Sequence, residues 1–219
     1  MIQFHQSYSY EDFIQGVRPR LISGNISWEL QDGRFLQFSK RARTIAKRPP
    51  CLLIIDEINR AHLSKVFGEL MYLLEYRDKE IPLASGGELF RVPTNVYIIG
   101  TMNTADRSIA LVDHALRRRF SFIRLSPNYD VLTRHLNSKG YPAAGLVSLL
   151  KEINKAIDDP NYEIGISYFL KDDNLKEVMR VIWVGEIEPY LEEFFYDQPE
   201  KVEPFRWISL IKRQLHEWI

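Results

Sequence analysis

The segment Cys51-Leu-Leu-Ile-Ile-Asp-Glu-Ile-Asn-Arg60 constrains the fold more than any other part of the chain. Four consecutive large apolar residues, Leu52 to Ile55, end abruptly in two acids, Asp56 and Glu57. An uninterrupted apolar run reads as a strand buried in a parallel sheet with helices on its faces. Such a strand delivers its first polar residues to the edge of the sheet. Two carboxylates there suit nucleotide hydrolysis, the first supporting Mg²⁺ and the second polarising the attacking water. A buried strand that simply ends in a solvated acidic turn gives the same pattern, so the run alone is a weak signal.

Two further elements strengthen it. Asn95 to Met102 reads as a second buried strand, and Ile98-Ile-Gly-Thr-Met-Asn103 brings an asparagine to the corresponding edge. Its amide can hold a water or a γ-phosphate oxygen, although Asn is also a common turn former. Leu116-Arg-Arg-Arg-Phe120 then closes a short helix, Ala110 to Arg118, with three cations and leads into an expected third strand, Phe120 to Leu125. Cations at a helix C-terminus are favourable in themselves. They also suit an arginine finger reaching a neighbouring subunit's γ-phosphate.

Around these elements the pattern is α/β and then all-helical. Phe4 opens a short strand and Ser9 caps a helix. Gly16 to Gly33 reads as a turn-rich surface loop. Helical spacing covers Phe35–Lys47, stopped by Pro49-Pro50, and Leu63–Tyr76. Ile81-Pro-Leu and Leu89-Phe-Arg-Val, split by Ser85-Gly-Gly87, read as a hairpin. Beyond Ser126-Pro127 only helices are expected, over Val131–Lys139, Leu146–Ile157, Leu175–Glu188 and Phe205–Trp218. The expected domains are therefore 1–126 and 127–219.

Composition narrows the partners. The 219 residues are 45% hydrophobic and 26% charged, with 29 basic and 29 acidic side chains. A chain with no net charge has no global electrostatic footprint for nucleic acid. The lone Cys51 reads as a small core residue rather than a reactive thiol and fits a reducing cytoplasm. The five scattered histidines lack metal-ligand spacing. No apolar run approaches membrane-spanning length. Trp183, Tyr190, Phe194 and Phe195 read as helical core. Lys40, Arg41 and Arg43 read as a solvated helix face.

Taken in order, Phe4-His-Gln-Ser-Tyr-Ser-Tyr-Glu-Asp-Phe-Ile-Gln-Gly16, Ile55-Asp-Glu-Ile-Asn-Arg-Ala61, Met102-Asn-Thr-Ala-Asp-Arg-Ser108 and Ala115-Leu-Arg-Arg-Arg-Phe-Ser-Phe122 resemble the McrB family of AAA+ NTPases. That family supplies the GTP-hydrolysing motor of modification-dependent restriction systems. The resemblance implies a partial AAA+ P-loop core followed by a small helical lid. It implies that Asp56 supports Mg²⁺ directly or through water, that Glu57 is the catalytic base, and that Asn59 and Arg60 support the site. Asn103 is implied as the sensor-1 residue, with Asp106 and Arg107 in the signature loop beside it. Arg118 and Arg119 are the implied trans-acting arginines, with Arg117 third. Gly165-Ile-Ser-Tyr-Phe169 matches the segment near the nucleotide's outer side, with Ile166 where the family often has His. The implied ligands are GTP or ATP with Mg²⁺. The implied partners are complete subunits of a homo-oligomeric ring, a hexamer by resemblance, and an McrC-type endonuclease, with DNA engaged through the assembly.

One part of the pattern does not occur. Residues 1–219 contain no G-x-x-x-x-G-K-[ST] loop. In the five-stranded sheet that the resemblance implies, Phe4 marks the second strand. The first strand, which would lie between the strands of Val96–Met102 and Phe120–Leu125, is expected to be missing. A chain of this kind is expected to bind nucleotide poorly alone and to be marginally stable, with two open sheet edges. A non-catalytic subunit lending arginines in trans, or an inactive gene fragment, fits the same pattern.

Overall fold

The apolar run Leu52–Ile55 forms the middle of a parallel sheet. β4 (Cys51–Asp56) lies between β1 (Ile2–Gln3) and β7 (Val96–Gly100), with Ile2 opposite Ile55 and Cys51 opposite Val96. The computed structural model describes residues 1–22, 24–103, 105, 114–171, 174–213, 215 and 218. These fall into two compact units, Met1–Ile123 and Arg124–Ile219.

In the first unit, α1 (Tyr10–Phe13) begins with a capping box in which Ser9 and Asp12 satisfy each other's backbone N–H groups. Burial works against the charge on Asp12, but hydrogen bonds from Ser9 and the Arg18 guanidinium outweigh it and lower the carboxyl below its ordinary range. α2 (Arg34–Thr44) buries Phe35, Leu36 and Ala42. These join Phe4, Phe13, Leu53, Ile55, Val66, Phe67 and Leu70 in one core. Alternate residues of β4 thus face that core.

Four expectations are corrected here. Gly16–Gly33 is not a loop. β2 (Gln15–Ile22) and β3 (Asn25–Asp32) form an antiparallel hairpin. Its register puts Val17 opposite Leu30, Pro19 opposite Trp28 and Leu21 opposite Ile26, so one face carries three apolar pairs beyond Gln15 and Asp32 at its base, while Arg18 stands opposite Glu29 on the other. The period-two alternation was present in the sequence, and the glycines at its ends masked it. The helix expected over Leu63–Tyr76 breaks into α3 (Leu63–Phe67) and α4 (Leu70–Glu75) at Gly68, whose φ of 48° lies in the left-handed region. A Cβ there would stand 2.9 Å from the Tyr10 ring. The strand at 96–100 is not buried on both sides. Tyr97 and Ile99 are 56% and 51% exposed, and Leu52 of β4 is half exposed on the same parity. Finally, 120–125 forms no strand. A strand needs a ladder partner, and β7 pairs with β4 alone among the described residues.

The expected second hairpin is present as β5 (Ile81–Pro82) against β6 (Leu89–Phe90). Lys40 and Arg43 are not merely solvated. Lys40 pairs with Asp32 and Glu88, and Arg43 bonds the Arg91 carbonyl and covers the Phe90 ring.

The regular elements of the second unit are all helices among the described residues. α6 (Tyr129–Ser138) is capped by Asn128, whose side chain accepts from the Asp130 and Val131 N–H groups. α7 (Ala144–Ile157) and α8 (Leu175–Ile182) contribute Leu146, Leu149, Leu150, Ile153, Leu175 and Met179 to the core around Trp183, whose indole donates to the Phe205 carbonyl at 2.8 Å. A π-helical turn, Trp183–Ile187, joins α8 to α9 (Glu188–Phe194). Pro189 has no N–H to return to the carbonyl four residues earlier, and the ladder shifts just before it. Phe195 is buried, while Tyr190 and Phe194 pack against the same core, as expected from their sequence pattern. α10 (Trp207–Arg213) follows. No helix among the described residues is long and apolar enough to cross a membrane.

Candidate functional site

The carboxyl end of β4 brings Asp56 and Glu57 to the sheet edge beside the end of β7. Asp56 is the last strand residue and Glu57 is the first to leave it. Glu57 adopts φ 53° and ψ 45°, a left-handed conformation that costs a non-glycine residue about 1–2 kcal/mol. Strain of this sort persists only where neighbours over-determine it. Here the neighbours are identifiable. The Glu57 N–H donates to Thr101 Oγ1 at 3.3 Å. The Ile58 N–H donates to the Thr101 carbonyl at 2.9 Å, and the Thr101 N–H to the Ile55 carbonyl at 2.9 Å. The Glu57 carbonyl accepts from the Arg60 N–H at 2.9 Å, closing a single 3₁₀ turn, Ile58–Arg60. Gly100 permits this packing, because a Cβ there would fall 2.8 Å from the Ile58 side chain.

The side chains follow from that turn. The Thr101 hydroxyl donates to Asp56 Oδ1 at 2.5 Å. No donor reaches Asp56 Oδ2 among the described residues. Glu57 Oε2 is shielded from water and lies 3.3 Å from Arg60 Nε. Asn59 is buried, and its Nδ2 donates to the Asn103 carbonyl at 3.1 Å, tying the turn after β4 to the segment after β7. Asn103 itself is exposed, and its side-chain oxygen accepts from the Ala105 N–H at 3.0 Å, which leaves the amide N–H₂ pointing elsewhere.

Asp56, Glu57, Asn59 and Asn103 are therefore brought together. Asn59 braces the segment after β7 through its bond to the Asn103 carbonyl. Asp106 and Arg107 lie outside the described residues. The three arginines separate in role. α5 (His114–Arg117) ends at Arg117, whose guanidinium stacks over Phe122 at 5.8 Å. Arg119, one of the two expected trans-acting residues, is 16% exposed and pairs with Glu75 at 2.8 Å within its own chain. That contact engages the group a neighbour would need. Arg118 is exposed, with no ion pair or hydrogen bond to its side chain among the described residues. Thr101 had no expected role, although it stands two residues before Asn103 in the quoted strand.

The donor set fits Mg²⁺ only of a particular kind. No group of three or more His, Cys, Asp or Glu side chains that could hold a metal occurs among the described residues. One open carboxylate oxygen on Asp56 suits an ion that keeps most of its waters and takes its other ligands from nucleotide phosphates.

A parallel sheet with two acids at one strand end and an asparagine at the next defines an NTPase core, and the comparisons agree. Residues 1–120 match the AAA domain of the dynein-related subfamily, and the chain belongs to that family. Residues 145–203 match the alpha-helical lid domain of McrB, which makes it a McrB-like AAA+ protein. It is 44% identical over 232 residues to the type IV methyl-directed restriction enzyme EcoKMcrB subunit of Escherichia coli strain K12, covering 95% of this chain and 49% of that protein. It is 34% identical over 87 residues to the type II restriction enzyme BsuMI component YdiS of Bacillus subtilis strain 168, covering 32% of this chain and 25% of that protein. The chain thus spans about half the length of the Escherichia coli relative.

Proposed function

We propose that this chain carries the water-activating half of a nucleotide-hydrolysing site in a restriction system of the McrB type. The observation that supports it most is the strained Glu57, held beside Asp56 and braced to Asn103 through Asn59. Glu57 orients the attacking water and accepts its proton. Asn103 Nδ2 donates to that water or to the γ-phosphate, which fixes the angle of attack. Asp56 holds a magnesium-bound water or the ion itself through Oδ2. Mg²⁺ supplies the charge neutralisation of the triphosphate when bound. The β- and γ-phosphates also need a backbone cradle, which residues 1–219 do not contain. The nucleotide is GTP or ATP. Arg118 completes the site of an adjacent subunit in a homo-oligomeric ring, a hexamer in this reading, a role supported by its exposure and by the engagement of Arg117 with Phe122 and of Arg119 with Glu75. The ring drives DNA past an McrC-type endonuclease partner in the cytoplasm.

Glu57→Gln tests the reading in an assembly that supplies the phosphate-binding loop. The amide preserves shape and cannot take the proton. Turnover should fall at least about 100-fold, the usual scale for general-base loss, while nucleotide binding persists. Unchanged turnover refutes the assignment.

A further inference from the structure

Thr101 makes four contacts to the turn that carries both carboxylates. Its N–H and C=O bond residues Ile55 and Ile58, and its hydroxyl bonds both Asp56 and Glu57. An exposed threonine at the end of a strand ordinarily turns its hydroxyl to water. Here one oxygen accepts from the Glu57 N–H at 3.3 Å and donates to Asp56 Oδ1 at 2.5 Å. The two bonds are interdependent. A hydroxyl has a single hydrogen and two lone pairs. With one lone pair taken by the Glu57 amide, the hydrogen has Asp56 as its acceptor. The carboxylate is then fixed in rotation, with Oδ1 occupied and Oδ2 open.

We propose that Thr101 is a positioning residue of the site, one hydroxyl setting both the orientation of the Asp56 carboxylate and the left-handed backbone of Glu57. The proposal rests on the reading of Asp56 and Glu57 given above for the direction of its effect on magnesium, but not for the bonds themselves. Neither acid is positioned independently of the other. Loss of the hydroxyl frees Asp56 to rotate and removes the acceptor that compensates the conformational cost at Glu57. The β-branched shape of threonine limits χ1 to few states, which is why the aim holds at an exposed position.

Three variants separate chemistry from shape. Thr101→Val keeps the branched volume and removes the hydroxyl. Thr101→Ser keeps the hydroxyl and removes a methyl. Thr101→Ala removes both. The first readout is amide hydrogen exchange at Glu57 and Ile58 in the 219-residue chain. Loss of a net hydrogen bond should speed Glu57 exchange about five- to tenfold in Thr101→Val and Thr101→Ala, with Thr101→Ser within about twofold of the parent. The second readout is the Mg²⁺ concentration giving half-maximal binding of a fluorescent GTP analogue, in the assembly that supplies the phosphate-binding loop. It should rise about fivefold or more in Thr101→Val and return in Thr101→Ser. Equal behaviour of the valine and serine variants in both readouts overturns the proposal, since a purely structural role would follow shape. If Glu57→Gln leaves turnover intact while Thr101→Val still loosens the Glu57 amide, the catalytic reading fails and the positioning of the turn stands. If exchange is unchanged in Thr101→Val, the positioning role fails whatever the hydrolysis assay shows.

Discussion

Asn154 is the polar group in the second unit whose loss should cost most. It is 8% exposed on α7 and makes three hydrogen bonds. Its Oδ1 accepts from the Ile164 N–H at 2.7 Å, and its Nδ2 donates to the Ile164 carbonyl at 3.1 Å and to the Tyr129 hydroxyl at 2.9 Å. Asn154→Leu keeps the branched shape and removes every partner. Tyr129 is only partly buried and its hydroxyl can turn to water. Ile164 is 3% exposed, so both of its backbone groups are left unpaired. Each such orphan costs about 1–3 kcal/mol. The added apolar burial offsets roughly 1 kcal/mol. The expected net loss is about 1–5 kcal/mol, centred near 3. Tryptophan emission in urea reads this unit selectively, because Trp183, Trp207 and Trp218 are buried in it while Trp28, in the first unit, is 68% exposed. With a urea slope of about 1–2 kcal/mol/M, the midpoint should drop by about 2 M at unchanged slope. A drop below about 0.3 M would show that Ile164 finds other partners, and the reasoning would fail.

Three other outcomes follow from particular contacts. Gly68→Ala should destabilise the first unit by about 2–3 kcal/mol, because φ 48° with ψ −129° excludes a Cβ and the Tyr10 ring stands in its way; a thermal midpoint within error of the parent would count against this. Arg119→Ala should cost about 1 kcal/mol through its pair with Glu75, whose half-exposed carboxylate is screened by water, whereas Arg118→Ala should leave the melting temperature unchanged; equal shifts would show that the structure does not distinguish the two. Burial, reinforced by nearby Tyr168, Tyr162, Asp159 and Glu193, pushes the Tyr190 hydroxyl up to about 12, while the hydroxyl donates to the Tyr162 carbonyl at 2.6 Å. A raised folded value means its stabilisation is complete below the ordinary tyrosine value of about 10 and is lost as pH rises towards 12. Tyr190→Phe should therefore flatten that alkaline decline, and an unchanged profile would refute the assignment.

The sequence by itself determined the family and the order of its elements along the chain. Leu52–Ile55 followed by two acids specified a strand and its polar exit, although only Leu53 and Ile55 of that run are fully buried. The second half read as helices because its apolar residues recur at helical spacing, and the core around Trp183 follows that stripe. Ser9 with Asp12 wrote its own helix start in four residues. What needed the tertiary structure was everything that depends on a partner distant in sequence. Phe120–Leu125 has strand composition, but a strand is a property of a pair, and no ladder forms there. The three arginines are equivalent as letters. Glu75, forty-four residues upstream of Arg119, is what separates it from Arg118. Thr101 could not be singled out from a strand of ordinary residues, since its role exists only where β7 lies against β4 in register and its hydroxyl meets Asp56. Periodicity and caps are local and legible. Register, pairing and the sharing of one hydroxyl between two acids are long-range, and only the folded chain decides them.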